Sequence, residues 1–197
     1  MPKKAVARKD TRRHENRPIK HVNGSNRGTR KVLRTSGKTP VVHCMFAPTD
    51  GETLLLPTSA MAEVIDYEEL APAQNAPPWL LGQLSWENRQ VPVFSFTALI
   101  NGTEAGEISA RSKILILKSL ADASRVPYLG VLLSGLPRIT NLRPEDFVET
   151  GDENKALGVF SRIVCEEQES IIPDIDRLTH LVTHATYGAL PITQLDD

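Results

Sequence analysis

His180 and His184 stand four residues apart, the spacing that puts two imidazoles on one face of a helix, where they can share a transition metal. A third ligand at a suitable spacing is missing, and histidines near a helix C-terminus also complement the helix dipole. No metal is expected there. His43 and Cys44 are neighbours in an apolar run. On a strand they point to opposite faces and cannot act as base and nucleophile. Cys165, set among apolar strand residues, reads as a core thiol. Gly37-Lys38-Thr39 has the ending of a phosphate-binding loop, but Val32 stands where its first glycine belongs and Pro40 blocks the helix that must follow. Ser134-Gly135 lacks the glycine that begins a nucleophile elbow. Glu166-Glu167-Gln168-Glu169 reads as a solvated hairpin tip. No catalytic, metal or cofactor site emerges, and the chain is not expected to be an enzyme.

Charge divides the 197 residues in two. Residues 1–40 hold 13 Lys/Arg against 2 Asp/Glu, and residues 41–197 hold 10 against 22, so a +11 segment precedes a −12 one. The first 40 residues contain no Phe, Trp or Tyr and only 8 residues from the apolar set. Such a segment buries too little apolar surface to offset the entropy of ordering, so residues 1–40 are read as a basic, disordered tail. Three readings of that tail stand together: a solvated arm, a weak electrostatic contact with anionic lipid or nucleic acid, or a true start further along the chain. Two cysteines without a CxxC pair fit a reducing cytoplasm. No apolar run approaches the roughly 18 residues of a membrane helix.

From Val41 the pattern becomes that of strands. Val41–Phe46 and Thr53–Leu56 flank Thr49-Asp50-Gly51, an Asp-Gly hairpin signal. Thr58 or Ser59 is placed to cap a short helix over Ala60–Ile65. Ala71–Pro78 is stiffened into an extended crossing by its prolines. A second hairpin has arms Gln83–Trp86 and Gln90–Phe96 around Glu87-Asn88-Arg89, and Pro92 implies an edge strand or a bulge. Thr97–Ile100 makes one helical turn at most. Further strands are expected over Lys113–Leu117, Tyr128–Leu133, Ile139–Leu142, Val159–Glu166 and Ser170–Ile175, with turns at Ala121–Arg125 and Arg143–Asp146 and a loop at Gly151–Lys155. A helix closes the series over Asp176–Ala185. Short strands at this spacing predict an all-β barrel or sandwich with minor helices. No repeat is visible in the sequence.

Five stretches resemble the CheW-like family, the adaptor modules of bacterial chemosensory arrays. Ala62-Glu63-Val64-Ile65 is similar to its acidic-then-aliphatic motif, and Asn75–Gly82 to its proline-rich approach to an aliphatic-glycine strand. Gln90–Phe96 resembles its V-P-V-x-D-L arm, Tyr128–Leu136 its glycine-led strand, and Ser170–Leu178 its last strand and D-x-x-x-L turn. The resemblance covers about residues 41–185, leaving 186–197 as a C-terminal tail. It implies two five-stranded SH3-like barrels around a shared core. It also implies a scaffolding role between the cytoplasmic tip of a chemoreceptor and the regulatory domain of a CheA-type histidine kinase. In the family the hairpin bend typically reads Asn-Leu-Arg-Gly; here Ser85-Trp86-Glu87-Asn88 puts Glu87 in place of the arginine. Ser95 and Ser134 likewise replace acidic residues. Like charges across an interface cost several kcal/mol. A divergent, accessory adaptor of the pilus-linked, twitching-motility kind therefore fits better than the main coupling protein.

Met61, Glu63, Trp86, Glu87 and Pro92 are the residues expected on a protein-binding surface for receptor or kinase. Trp86 has a second reading, as a core residue bridging its hairpin to the other barrel, and Glu63 as a solvated or capping residue. Trp79 reads as core. The expected location is the cytoplasm, with recruitment to an inner-membrane receptor array. A nucleic-acid-binding β-barrel protein that uses the basic N-terminal tail is the rival. The −12 balance of residues 41–197, without a basic stripe interleaved with aromatics, speaks against it.

Overall fold

A computed structural model describes residues 40–119, 126–150 and 156–188. The basic segment 1–39, the expected turn 121–125, the loop 151–155 and the C-terminal residues 189–197 lie outside the described residues, as does Gly37-Lys38-Thr39.

Eleven strands among the described residues form two sheets. The first has the order β8 (Arg138–Leu142), β1 (Val42–Pro48), β2 (Thr53–Pro57), β11 (Gln168–Pro173), β10 (Val159–Cys165), β9 (Val148–Glu149). The second has the order β3 (Met61–Asp66), β6 (Lys113–Lys118), β7 (Tyr128–Leu133), β5 (Arg89–Phe94), β4 (Leu80–Trp86). The first hairpin joins β1 (Val42–Pro48) to β2 (Thr53–Pro57). Its turn is held by the Thr49 N–H donating to the Glu52 carbonyl at 2.8 Å, with Gly51 at φ 92°. The helix expected over Ala60–Ile65 does not form. A single 3-10 turn, Thr58–Ala60, leads straight into β3 (Met61–Asp66), which pairs antiparallel with β6 (Lys113–Lys118). Ala, Met and Glu favour helix, but the pairing edge of β6 and the β-branched Val64 and Ile65 outweigh that local preference.

The second hairpin pairs β4 (Leu80–Trp86) with β5 (Arg89–Phe94) through a two-residue turn, Glu87-Asn88, at φ 46° and 60°. Two positive φ values match the twist of a tight hairpin, and Asn adopts them more readily than most residues. Arg89 is thus the first strand residue, opposite Trp86. The expectation that Pro92 marks an edge strand or bulge is corrected: β5 lies inside the sheet, and the bulge falls on β4 between Leu80 and Gly82. Proline is tolerated because the parallel ladder from β5 to β7 (Tyr128–Leu133) starts after it, at Val93.

The remaining elements are β8 (Arg138–Leu142), the two-residue β9 (Val148–Glu149), β10 (Val159–Cys165) and β11 (Gln168–Pro173). The first sheet therefore carries a sixth strand beyond the expected five. Helix α1 (Phe96–Asn101) is capped by Ser95, whose side chain accepts from the Ala98 N–H, and ends at the left-handed Gly102. Helix α2 (Ile175–Tyr187) is capped in the same way by Asp174. Ile175 begins this helix rather than ending the preceding strand.

Neighbouring residues of one strand serve different cores, which explains the unbroken apolar runs. On β1, Cys44 and Phe46 face the interior of the first barrel while Met45 and Ala47 join a core shared by both sheets. On β6, Ile114 and Ile116 fill the second barrel while Leu115 and Leu117 join the shared core. Phe94, Phe96, Ile175, Leu178 and Val182 complete that shared core, so both helices lie against it.

Candidate protein-binding surface

At one end of the second barrel, four residues from four strands meet. The Trp86 indole N–H donates to Glu63 Oε2 at 2.8 Å, joining β4 to β3, the two strands at opposite edges of the sheet. The Trp86 ring stands edge-on to Tyr128 of β7 with centroids 4.9 Å apart, and the Arg89 guanidinium lies 5.7 Å from the Tyr128 centroid. Both aromatic rings are half-buried, packed against the Leu84–Val91–Val93–Ile114–Ile116 interior, while Glu63 and Arg89 are exposed. Glu87 projects from the adjoining turn, also exposed. An amphipathic ring pair rimmed by charges, on a rigid strand frame, suits reversible contact with another protein.

Of the five residues expected on such a surface, Glu63, Trp86 and Glu87 are brought together here. Met61 is half-buried and packs against the shared core. Pro92 is buried in β5, so its side chain is not part of an exposed face. Trp86 packs on its own barrel and not across to the other, and Trp79 packs on the shared core, edge-on to Phe94 at 6.4 Å. Sequence reasoning missed Tyr128 and Arg89. Arg89 could have been found as the cross-strand partner of Trp86; Tyr128 has no comparable local signal, because β7 reaches this end only through the sheet order.

The residues tested for chemistry take other roles. His43 is exposed and bonds Asn141, while Cys44 behind it is buried. Cys44 and Cys165 are free and share the first barrel's interior, and burial pushes both thiols up from the ordinary value. His180 and His184 are exposed on α2, and among the described residues no group of three or more metal-ligating side chains forms. The tip Glu166-Glu167, at φ 50° and 62°, is tied down: Glu166 accepts from Arg138 Nη1 and from the Thr140 hydroxyl, each at 2.9 Å. Those two hydrogen bonds hold the Glu166 carboxyl below the usual glutamate value. Ser134 donates to the Thr49 carbonyl at 3.1 Å and braces the first turn. A cavity of about 320 Å³ is lined by Glu52, Thr150, Arg162, Ile163, Glu169 and Ser170, with Arg162 paired to Glu52. Among the described residues no helix is long and apolar enough to cross a membrane.

No curated protein matches the sequence. Among solved structures, the chain is similar to the scaffolding protein TtCheW from Thermoanaerobacter tengcongensis, with a TM-score of 0.60 at 13% identity. The match covers 78% of this chain and 99% of that one, and it shows a common fold. The family model for the CheW-like domain matches residues 43–182, which spans both barrels and most of α2. The chain belongs to the CheW-like domain family.

Proposed function

We propose that this chain is a non-enzymatic adaptor that links the cytoplasmic tip of a chemoreceptor to a CheA-type histidine kinase in a bacterial chemosensory system of the pilus-linked, twitching-motility kind. The observation that carries the proposal is the CheW-like match across both barrels, residues 43–182. The surface built by Glu63, Trp86, Glu87, Arg89 and Tyr128 supports it, since aromatic residues and arginine at a rigid patch are what protein interfaces use. The adaptor works in the cytoplasm and is drawn to the receptor array by these contacts.

The test is co-purification of the full chain with the kinase regulatory domain and with receptor cytoplasmic tips from the same genome. Retention of at least one of them in a stoichiometric complex is expected. Retention of neither overturns the proposal. Salt-sensitive retention on DNA that persists after removal of residues 1–40 would favour a nucleic-acid role instead.

A further inference from the structure

Five strands of the first barrel, in the order β8-β1-β2-β11-β10, match the five of the second, β3-β6-β7-β5-β4, and β9 has no counterpart strand among the described residues. In each, a hairpin with a bulged first strand sends its second strand into a parallel pairing, β5 with β7 and β11 with β2, and then into a capped helix. With the tips superposed in sequence, Glu87-Asn88 falls on Glu166-Glu167, Pro92 on Ile171 and Ser95 on Asp174. The register then fixes the rest. Ile171 lies beside Leu54, which is opposite Ala47, and the preceding residue of β1, Phe46, is opposite Arg138. Val93 lies beside Gly130, so Pro92 falls beside Leu129. Leu129 is opposite Leu117, and the preceding residue of β6, Ile116, is opposite Glu63. Glu63 and Arg138 therefore hold the same place. A separate contact agrees: Gln168 donates to Thr53 at 3.0 Å in the first barrel, and their counterparts are Arg89 and Tyr128.

Matched places carry opposite charges. The first barrel closes with Arg138, its guanidinium 4.6 Å from the Phe46 centroid and 2.9 Å from the tip carboxylate of Glu166. The second barrel puts a carboxylate, Glu63, in the arginine's place and keeps a carboxylate, Glu87, at the tip. Its own Arg89 is committed to Tyr128, on the β7 side. Two like charges at one barrel end, beside an aromatic pair and with a glutamate where the sister barrel has its arginine, form an incomplete version of a contact the molecule makes elsewhere.

We propose that a partner protein completes this end by presenting an arginine between Glu63 and Glu87, its guanidinium stacked beside Trp86 and Tyr128. The inference rests on the adaptor reading for the partner's identity, not for the cation site. Arginine fits better than lysine because a planar fork can stack on a ring and donate to a carboxylate at once, as Arg138 does. The acidic pair selects the partner by charge and excludes surfaces that present a carboxylate at this point.

The experiment has two arms, each run on the full chain with Glu87→Gln, Glu87→Arg and Glu63→Gln, the last keeping an acceptor for the Trp86 indole. In the first arm, affinity is measured for the receptor tip and for the kinase regulatory domain. Glu87→Arg is expected to weaken one of the two by about tenfold or more, Glu87→Gln by less, and an arginine-to-glutamate change on that partner restores binding to Glu87→Arg. In the second arm, N-acetyl-arginine amide is titrated at fixed ionic strength while the Trp86 indole N–H resonance is followed, assigned with Trp79→Phe. A saturable shift is expected, absent with N-acetyl-norleucine amide and absent in the Glu63→Gln/Glu87→Gln double variant. Wild-type binding that all three variants match within about twofold overturns the arginine proposal and leaves the adaptor standing. Failure to bind either protein, with the arginine-specific indole shift present, removes the adaptor reading and keeps the cation site. No binding together with identical responses to the two amides removes both.

Discussion

At the matched hairpin tips, Glu166 is fastened to Arg138 and Thr140 on β8, the strand at the far edge of its sheet, while Glu87 stands exposed in the turn that follows Trp86. The first barrel seals its end with its own side chains and has an interior that includes two thiols and a phenylalanine. The second has an all-aliphatic interior of Leu84, Val91, Val93, Ile114 and Ile116, and leaves charge and ring faces outward. One framework thus yields one end fastened by its own side chains and one whose charges face outward. The difference lies in a few residues at strand ends, where side chains can change without disturbing the ladders.

The largest expected effect tests whether the barrels are separate at all. Phe94 is fully buried in the core that both sheets share, so Phe94→Ala should cost about 3–5 kcal/mol. The loss should appear in both barrels together. Trp86 fluorescence reports on the second barrel, and labelling of Cys44 and Cys165 by a thiol reagent reports on the first, because both thiols are buried. Coincident midpoints in denaturant are expected for a single cooperative unit. Separate midpoints would make the barrels independent, and the shared core a mere contact.

The sequence carried the parts of this comparison that depend on local pattern. Val41–Phe46 with Asp50-Gly51, the bend expected at Glu87-Asn88-Arg89 and the helix expected over Asp176–Ala185 are all local readings, and the structure follows them to within a residue or two at their ends. Met61–Ile65 was open to misreading because Thr58 and Ser59 look like caps, and only the distant β6 decides for a strand. The repeat itself was hidden. Equivalent residues such as Trp86 and Cys165, or Pro92 and Ile171, share a place in the sheet but not a chemistry, so no identity links them. Glu63 and Trp86 could each be singled out by type, whereas their hydrogen bond depends on the sheet curling until its edges meet.

A smaller effect separates the barrels at their outer edges. In the first, β9 pairs with β10; in the second, a single bridge between Ala71 and Gln83 takes its place among the described residues. Gly82 makes that bridge possible, with φ 149° and the place of a Cβ only 2.5 Å from the Ala71 carbonyl oxygen. Gly82→Ala should force the crossing segment away at about 1–3 kcal/mol. Hydrogen exchange should quicken at the Ala71 and Gln83 amides, which donate to each other's carbonyls at 2.9 and 2.8 Å, and not in β9. Equal acceleration in both barrels would mean that the edges are coupled through the core.

The helix caps set the two halves side by side. Ser95→Ala and Asp174→Ala each remove a side-chain acceptor for a first-turn N–H, at about 1 kcal/mol apiece. Ser95→Asp should leave stability nearly unchanged, because serine and aspartate cap with similar strength. That outcome would make Ser95 a conservative replacement for the acidic residue that its relatives are expected to carry. It would leave two departures, Glu87 on the exposed turn and Ser134, whose hydroxyl braces the first turn. A clear loss in Ser95→Asp, measured by chemical denaturation, would instead show that burial of this position excludes a charge.

The finest test concerns the exposed latch, and it turns on sign. Glu166 has its carboxyl lowered by hydrogen bonds from Thr140 and Arg138, so its contribution to stability is present above the ordinary glutamate value. It is lost as pH falls through the lowered value in the folded state. Arg138→Met keeps an apolar chain over Phe46 and removes the cation, so the acid-side loss of stability should shrink. If β3 and β8 truly hold equivalent places, Glu63→Arg should build the same latch in the second barrel and add an acid-side dependence that Glu87→Gln abolishes. Denaturation curves collected from pH 7 down to about pH 3 read both effects, which are small because the groups are exposed. A Glu63→Arg protein whose acid-side profile ignores Glu87→Gln would break the register match between the barrels. With it would go the reason for expecting the second barrel to take its missing arginine from a partner.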